Sequence, residues 1–184
     1  MIAKMVIAVL AALTLSACAL LEVEPDTASP FYAVPQGSVL EIHQPLTIRA
    51  GTTRVWLQRG RAGVGQDWWY PACNLEVNTL DRERDQTIAP GRFEVVRVQP
   101  TQYTQLQTPP AVAMPVAVRA GDYNGGGVTW TWLGQYLWLS SAEQPDVRRL
   151  TCVGVYSRPF EARQPSIDQI REALGTVATL HLPD

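Results

Sequence analysis

Apolar and polar residues alternate with a period of two along most of the chain, which is typical of half-buried β-strands. Asn74–Thr79 and Phe93–Val98 show this alternation most clearly. Val128–Leu139 is longer and predicts either two strands or one long bent strand, with Gly134 as a candidate bulge or turn. Shorter strands are predicted at Val39–His43, Leu46–Arg49, Arg54–Gln58, Val116–Val118, Leu150–Tyr156 and Thr176–Leu182.

Glycine, proline and polar stretches predict the connections between these strands. Ala50-Gly51-Thr52 resembles a hairpin turn, and Arg59–Gln66 is predicted to be a loop because it contains three glycines. Thr101–Pro115 is rich in glutamine, threonine and proline, so we expect a long surface connection there. The glycines of Gly121–Gly127 indicate a further turn.

One helix is predicted near the C-terminus, at Ile167–Leu174. Its apolar residues recur at offsets of three and four, Ser166 and Gln169 fit a capping box, and Gly175 stands where a C-cap belongs. The expected fold class is therefore mainly β: an antiparallel β sandwich or open barrel with one C-terminal helix. Residues 38–184 are expected to form a single β-rich domain, since 184 residues are too few for two comfortable ones.

The charge balance argues against nucleic acid as a partner. Fifteen basic and 17 acidic residues give a net charge of −2, whereas a nucleic-acid-binding surface needs a strong excess of positive charge.

The first residues have the three-part layout of a secretory signal. Lys4 supplies a positive charge, Met5–Leu15 is an uncharged apolar run too short for a spanning helix, and small residues follow. An N-terminal membrane anchor or a buried apolar helix is the alternative interpretation. Leu15-Ser16-Ala17-Cys18 resembles the lipobox of bacterial lipoproteins.

That resemblance implies that residues 1–17 are a signal peptide and that Cys18 carries the lipid anchor, with acyl chains sufficient for stable membrane attachment. Residues 18–37, which include three prolines, would then form a lipidated tether. Ala19 and Leu20 do not resemble the aspartate signal for inner-membrane retention. The expected location is the periplasmic face of the outer membrane, and surface exposure stays open.

Two cysteines remain after Cys18, and an even pair in an oxidising compartment predicts a disulfide between Cys73 and Cys152. Two buried free thiols are the main alternative. A metal pair is disfavoured because neither cysteine has a second cysteine or a histidine nearby.

Motifs for catalysis are lacking in the sequence. His43 and His181 are the two histidines, both in predicted strands and without a carboxylate at ligand spacing. No nucleophile elbow or phosphate-binding glycine fingerprint occurs. The alternating charges of Asp81–Asp85 are typical of a solvated loop and are too few in carboxylates for an EF-hand-like calcium site. We therefore expect no enzyme activity, no cofactor and no metal.

Aromatic residues are the most informative feature. Trp130, Trp132, Tyr136 and Trp138 have even numbers, so an unbroken strand would place them on one face, either filling a core or forming an exposed surface. Trp68 and Trp69 are adjacent, so at least one of them can be exposed. The candidate binding surface comprises Trp68, Trp69, Tyr70, Asp122, Tyr123 and Asn124.

Two functions from different classes fit these features. The favoured hypothesis is a non-enzymatic accessory lipoprotein that binds another protein of the cell envelope, because tryptophan and tyrosine are preferred anchors of protein interfaces. The alternative is a glycan-binding module, in which exposed tryptophans stack on peptidoglycan sugars.

Overall fold

The computed structural model describes residues 26–63, 65–107 and 128–183 of the chain. Residues 1–17, Cys18, Val116–Val118 and Gly121–Gly127 lie outside the described residues, as do Asp122, Tyr123 and Asn124. The described strands are β1 (Val39–Ile42), β2 (Leu46–Ile48), β3 (Arg54–Gln58), β4 (Arg61–Ala62), β5 (Ala72–Val77), β6 (Gln86–Ile88), β7 (Gly91–Gln107), β8 (Val128–Ser140), β9 (Val147–Val153) and β10 (Ala178–His181).

Eight of these strands form one antiparallel sheet that curls into a half-barrel, in the order β10-β1-β7-β8-β9-β5-β3-β4. β2 and β6 form a separate two-stranded sheet. The expected mainly β, antiparallel fold is confirmed, and of the two expected architectures the open barrel describes this sheet.

The pairing of β2 differs from the sequence-based expectation. Ala50-Gly51-Thr52 joins β2 to β3 but is not a hairpin turn, because β2 pairs with β6, with Leu46 opposite Ile88. The N–H of Gly51 instead donates to the C=O of Asp81, 2.8 Å away. The predicted loop Arg59–Gln66 also contains the short strand β4.

The hairpin of β7 and β8 is the largest departure from the expectation. β7 continues through Thr101–Gln107, where a surface connection was expected, and pairs with β8 as far as Gln107 opposite Val128. β8 is one unbroken strand, and the register shift in this hairpin falls between Val95 and Arg97 rather than at Gly134. Gly134 is required for packing, since a Cβ atom there would collide with the carbonyl oxygen of Cys152.

The main core lies on one face of the sheet, which we call the core face. Phe93 of β7, Leu137 of β8 and Leu150 of β9 are fully buried there. Cys73 and Cys152 are directly opposite in β5 and β9 and form a disulfide, with their Cα atoms 4.1 Å apart. The disulfide expected from the cysteine count is therefore confirmed.

The described residues contain one helix, α1 (Ile167–Leu174), with the bounds that the periodicity predicted. The Ser166 side chain accepts from the N–H of Gln169, whose own side chain accepts from the N–H of Ser166, so the capping box is complete. Ile167, Ile170 and Leu174 are buried in the main core. The helix packs against β3, β5 and β10.

Residues 26–37, the described part of the predicted tether, lie against the domain. The C=O of Thr27 accepts from the N–H of Asp168 at 3.2 Å. The N–H of Val34 donates to the side chain of Gln135, and the Val34 side chain is buried. This segment therefore leads into β1 along the core face of β8.

Candidate binding surface

Aromatic side chains gather on the other face of the sheet, which we call the outer face. Alternation along β8 directs its even-numbered residues there, while Leu137 and Leu139 enter the main core. The tryptophans of β8 are therefore not part of the main core. The aromatic cluster consists of Trp68, Trp69, Tyr103, Trp130, Trp132 and Tyr156.

The two exposed tryptophans of the cluster rest on two tryptophans of β8. Trp68 stacks in parallel on Trp132, with ring centroids 4.2 Å apart and 4° between the ring planes. Trp69 meets Trp130 edge to face at 5.5 Å. Trp132 is only 8% exposed, whereas Trp68 and Trp69 are 43% and 59% exposed. The cluster therefore has a buried base and an accessible outer layer.

Tyr156 lies at the centre of this base. Its ring is 5.0 Å from Trp132 and 5.3 Å from Trp130, and its hydroxyl donates to Oε1 of Gln105 at 3.2 Å. Burial, with a smaller contribution from Tyr103, raises the pKa of the Tyr156 hydroxyl above its ordinary value of 10.0. Tyr156 thus keeps its proton across the physiological range and stays a hydrogen-bond donor.

One buried glutamine fixes the loop that carries Trp68 and Trp69. Nε2 of Gln58 donates to the C=O of Asp67 at 2.9 Å and of Tyr70 at 3.1 Å, while its Oε1 accepts from the N–H of Asp67 at 2.9 Å. The Asp67 side chain in turn accepts from the N–H of Trp69 at 3.1 Å. Because these bonds span both ends of the loop, the two indoles are held before any partner arrives.

The candidate residues named from sequence are only partly brought together. Trp68 and Trp69 join the cluster, but Tyr70 lies under the guanidinium of Arg59, 3.4 Å from its ring centroid, in a cleft beside α1. Tyr70 is exposed and makes no ring contact with the cluster among the described residues.

Sequence reasoning missed three members of the site: Tyr103, Tyr156 and Gln58. Tyr103 is 55% exposed and lies 5.4 Å from Trp132, directly opposite it in the β7–β8 ladder. No alternation of apolar and polar residues marks this segment, because polar residues occupy both of its faces around Tyr103. Nothing local indicates the role of Gln58, whose partners are brought near by folding.

A second zone of the outer face is built on Trp138. The guanidinium groups of Arg97, Arg148 and Arg149 lie 4.4, 5.2 and 5.3 Å from its ring centroid. Glu76, buried beside them, accepts from Nε of Arg149 at 2.7 Å and from Nη1 of Arg148 at 3.5 Å. This ion pairing and the cation–π contacts stabilise the sheet surface next to the aromatic cluster.

The histidines lie at the opposite edge of the sheet. His43 contacts the hydroxyl of Thr179 at 2.7 Å, and Nε2 of His181 lies 2.9 Å from a carboxylate oxygen of Glu41. Arg92 donates to the same carboxylate oxygen at 3.0 Å. Folding thus brings the Glu41 carboxylate of β1 to His181, in an exposed surface network.

The charged run Asp81–Asp85 forms the connection between β5 and β6. Backbone N–H groups of Glu83 and Arg84 donate to the Asp81 carboxylate and hold its pKa below the ordinary value of 3.8. The Asp85 carboxylate accepts from the N–H of Ala50 at 2.8 Å. Among the described residues, no group of three or more histidines, cysteines or carboxylates is placed to hold a metal ion.

No helix within the described ranges is both long and apolar enough to cross a membrane.

In comparisons with known proteins, no family model, no curated protein and no solved structure matches this chain. The fold and the surface together define an open β half-barrel with an accessible aromatic cluster on its outer face.

Proposed function

We propose that this chain is a non-enzymatic accessory lipoprotein of the bacterial cell envelope, anchored through Cys18 to the periplasmic face of the outer membrane, and that its aromatic cluster binds another envelope protein. The observation that carries the proposal is that Trp68 and Trp69 are accessible and yet held in place by Trp132, Trp130 and the Gln58 hydrogen bonds.

Such an arrangement suits protein recognition for an energetic reason. Binding normally costs conformational entropy when flexible side chains become ordered, and large aromatic side chains already held by neighbours lose little. Tryptophan and tyrosine also dominate the energetics of protein interfaces. Trp68, Trp69 and Tyr103 together provide an aromatic surface that a partner can cover without rearranging the domain.

The anchored location rests on the lipobox resemblance at Leu15–Cys18 and on the residues that follow Cys18. The disulfide of Cys73 and Cys152 agrees with an oxidising compartment such as the periplasm.

The test is capture of the partner from whole envelopes by cross-linking to the full-length protein, followed by mass spectrometry. We expect Trp69→Ala and Tyr103→Ala to reduce the recovery of one abundant protein, because each removes an exposed ring while sparing the buried base. Phe31→Ala is the matched control, since Phe31 is an exposed aromatic residue outside the cluster. Equal recovery with all three variants would refute the role of the cluster.

A glycan ligand is the second candidate, and the geometry of Trp68 favours it. One face of this indole is covered by Trp132 in parallel, while the residue remains 43% exposed. A flat, fixed ring of this kind can stack on a sugar. Isolated peptidoglycan sacculi that bind the wild-type protein but not Trp68→Ala, in the absence of captured protein, would support this alternative.

A further inference from the structure

Among the described residues, the second half of β7, from Val98 to Gln107, pairs with β8 along one edge and with no strand along the other. β1 pairs with β7 only over Gly91–Glu94, and the last bonds on that side join Val95 to Gly37 and Ser38. From Val98 onward, β8 is the only strand beside β7 among the residues that the structure describes.

The backbone hydrogen bonds of β8 show which residues of β7 face this edge. The N–H of Thr131 donates to the C=O of Ser157 at 2.8 Å, and the C=O of Leu133 accepts from the N–H of Gly154 at 2.9 Å. Both residues of β8 therefore direct their backbone groups away from β7. Because successive residues of a strand alternate sides, the even-numbered residues of β8 bond to β7.

Trp132 is one of those residues, and it is paired with Tyr103. Gln102 and Thr104, on either side of Tyr103, consequently direct their N–H and C=O groups toward the unpaired edge. Pro100 has the same orientation, so its lack of an N–H removes no bond from the β7–β8 ladder. Pro100 therefore leaves the edge groups of the residues that follow it available for pairing.

The edge beyond Pro100 lacks the devices that usually prevent strand pairing. Native edges are blunted by charged side chains, prolines or bulges, and here the bulge and Pro100 both precede Thr101. No charged residue occurs between Val98 and Gln107. Two copies of this segment can therefore approach each other without bringing like charges together.

We propose that this edge pairs with the same edge of a second copy of the chain, antiparallel about a two-fold axis at Thr104. Gln102 then faces Leu106 of the second copy, and Thr104 faces its own equivalent. Each of these residues directs both its N–H and its C=O toward the edge, so every one of these groups forms a hydrogen bond in this register. Pro100, whose nitrogen carries no hydrogen, lies outside the paired residues. Such a dimer cannot add further copies through this edge, because the edge of each copy is already paired.

The pairing also affects the outer face. Tyr103 of one copy lies opposite Gln105 of the other. The two aromatic clusters therefore lie side by side across the two-fold axis. The dimer presents one continuous aromatic surface. The proposal itself is independent of what the aromatic cluster binds.

Cysteine cross-linking of the full-length chain in membranes tests this register. Thr104→Cys places two thiols directly opposite each other at a Cα separation that a disulfide can bridge. Gln102→Cys is the matched control on the same strand and the same face. Its equivalent in the second copy lies about 13 Å away, which is beyond disulfide reach.

On non-reducing gels we expect disulfide-linked dimer for Thr104→Cys to exceed that for Gln102→Cys by at least about tenfold. Adding Gln102→Pro to Thr104→Cys should abolish the cross-link while the near-ultraviolet circular dichroism of the domain is retained, because this proline removes only an edge N–H. Equal cross-linking of both cysteine variants, or none with Thr104→Cys, would overturn the proposal. A disulfide that joins Thr104→Cys to a different protein, in place of a second copy, would also overturn it.

Discussion

The indole of Trp68 lies parallel to that of Trp132, with the ring centroids 4.2 Å apart and the planes within 4°. One ring belongs to a surface loop and the other to the middle of β8, so this stack joins the loop to the sheet. It explains how a tryptophan that is 43% exposed can still be held in one position. The aromatic cluster is a small second core whose outermost rings stay accessible.

The two members of this stack should differ in their effect on stability. Trp68→Ala removes a partly exposed ring, and we expect a loss of about 1 kcal/mol in the free energy of unfolding. Trp132→Ala leaves a cavity beneath the loop, and we expect a loss of about 3–5 kcal/mol. Urea unfolding of the two variants measures this difference, and similar losses would contradict the division into a buried base and an accessible layer.

Gln58 should control the order of the Trp68–Trp69 loop. Gln58→Leu keeps a buried side chain but removes its bonds to Asp67 and Tyr70, so we expect a loss of about 1–3 kcal/mol. Amide hydrogen exchange of residues 67–71 should become faster. Gln99→Leu, on an exposed position of β7, is the control and should leave exchange in this loop unchanged.

The disulfide should make a large contribution to stability. It closes a loop with a sequence separation of 79 residues, for which the chain-entropy model gives about 4.5 kcal/mol as an upper figure. We expect the double variant Cys73→Ala, Cys152→Ala to lower the urea midpoint strongly. An unchanged midpoint would mean that the unfolded chain gains little freedom when the disulfide is absent.

Tyr156 should make the domain sensitive to alkaline pH. Its pKa in the folded chain is raised above 10.0 by burial, so the unfolded chain loses this proton first as the pH increases. Its contribution to stability is therefore complete below pH 10 and is lost as the pH rises through the folded-state pKa. Urea unfolding at a series of alkaline pH values measures the resulting slope.

Tyr156→Phe keeps the ring but removes the hydroxyl, so we expect a shallower alkaline slope together with the loss of the bond to Gln105. Tyr70→Phe is the control for removing one hydroxyl at an exposed ring. An alkaline slope that is identical in wild type and Tyr156→Phe would show that this buried hydroxyl does not govern the effect.

Local patterns were sufficient to predict the helix and the central strands, and the cysteine count together with the expected oxidising compartment predicted the disulfide. Ser166, Gln169 and Gly175 define α1 through contacts only a few residues apart. The alternation of Trp130, Trp132 and Trp138 also predicted that they share one face, because a period of two is a local property of a strand.

Other features depended on contacts between distant segments. Thr101–Gln107 has polar residues on both faces and follows a proline, so its composition indicates a loop, yet pairing with β8 makes it a strand. β2 pairs with β6 across a long stretch of sequence, so a turn signal beside β2 was misleading. Gln58 acquires its role only when the loop folds back over the end of β3.

The most direct test of the central claim is site-specific photo-cross-linking in intact cells of the native host, with a photoreactive amino acid at position 69. An identical probe at position 80 is the control, because Leu80 is also exposed but lies outside the aromatic cluster. We expect one dominant adduct with a different envelope protein from position 69, and no such adduct from position 80. No protein adduct at position 69, or the same adducts from both positions, would contradict a protein-binding role for this surface.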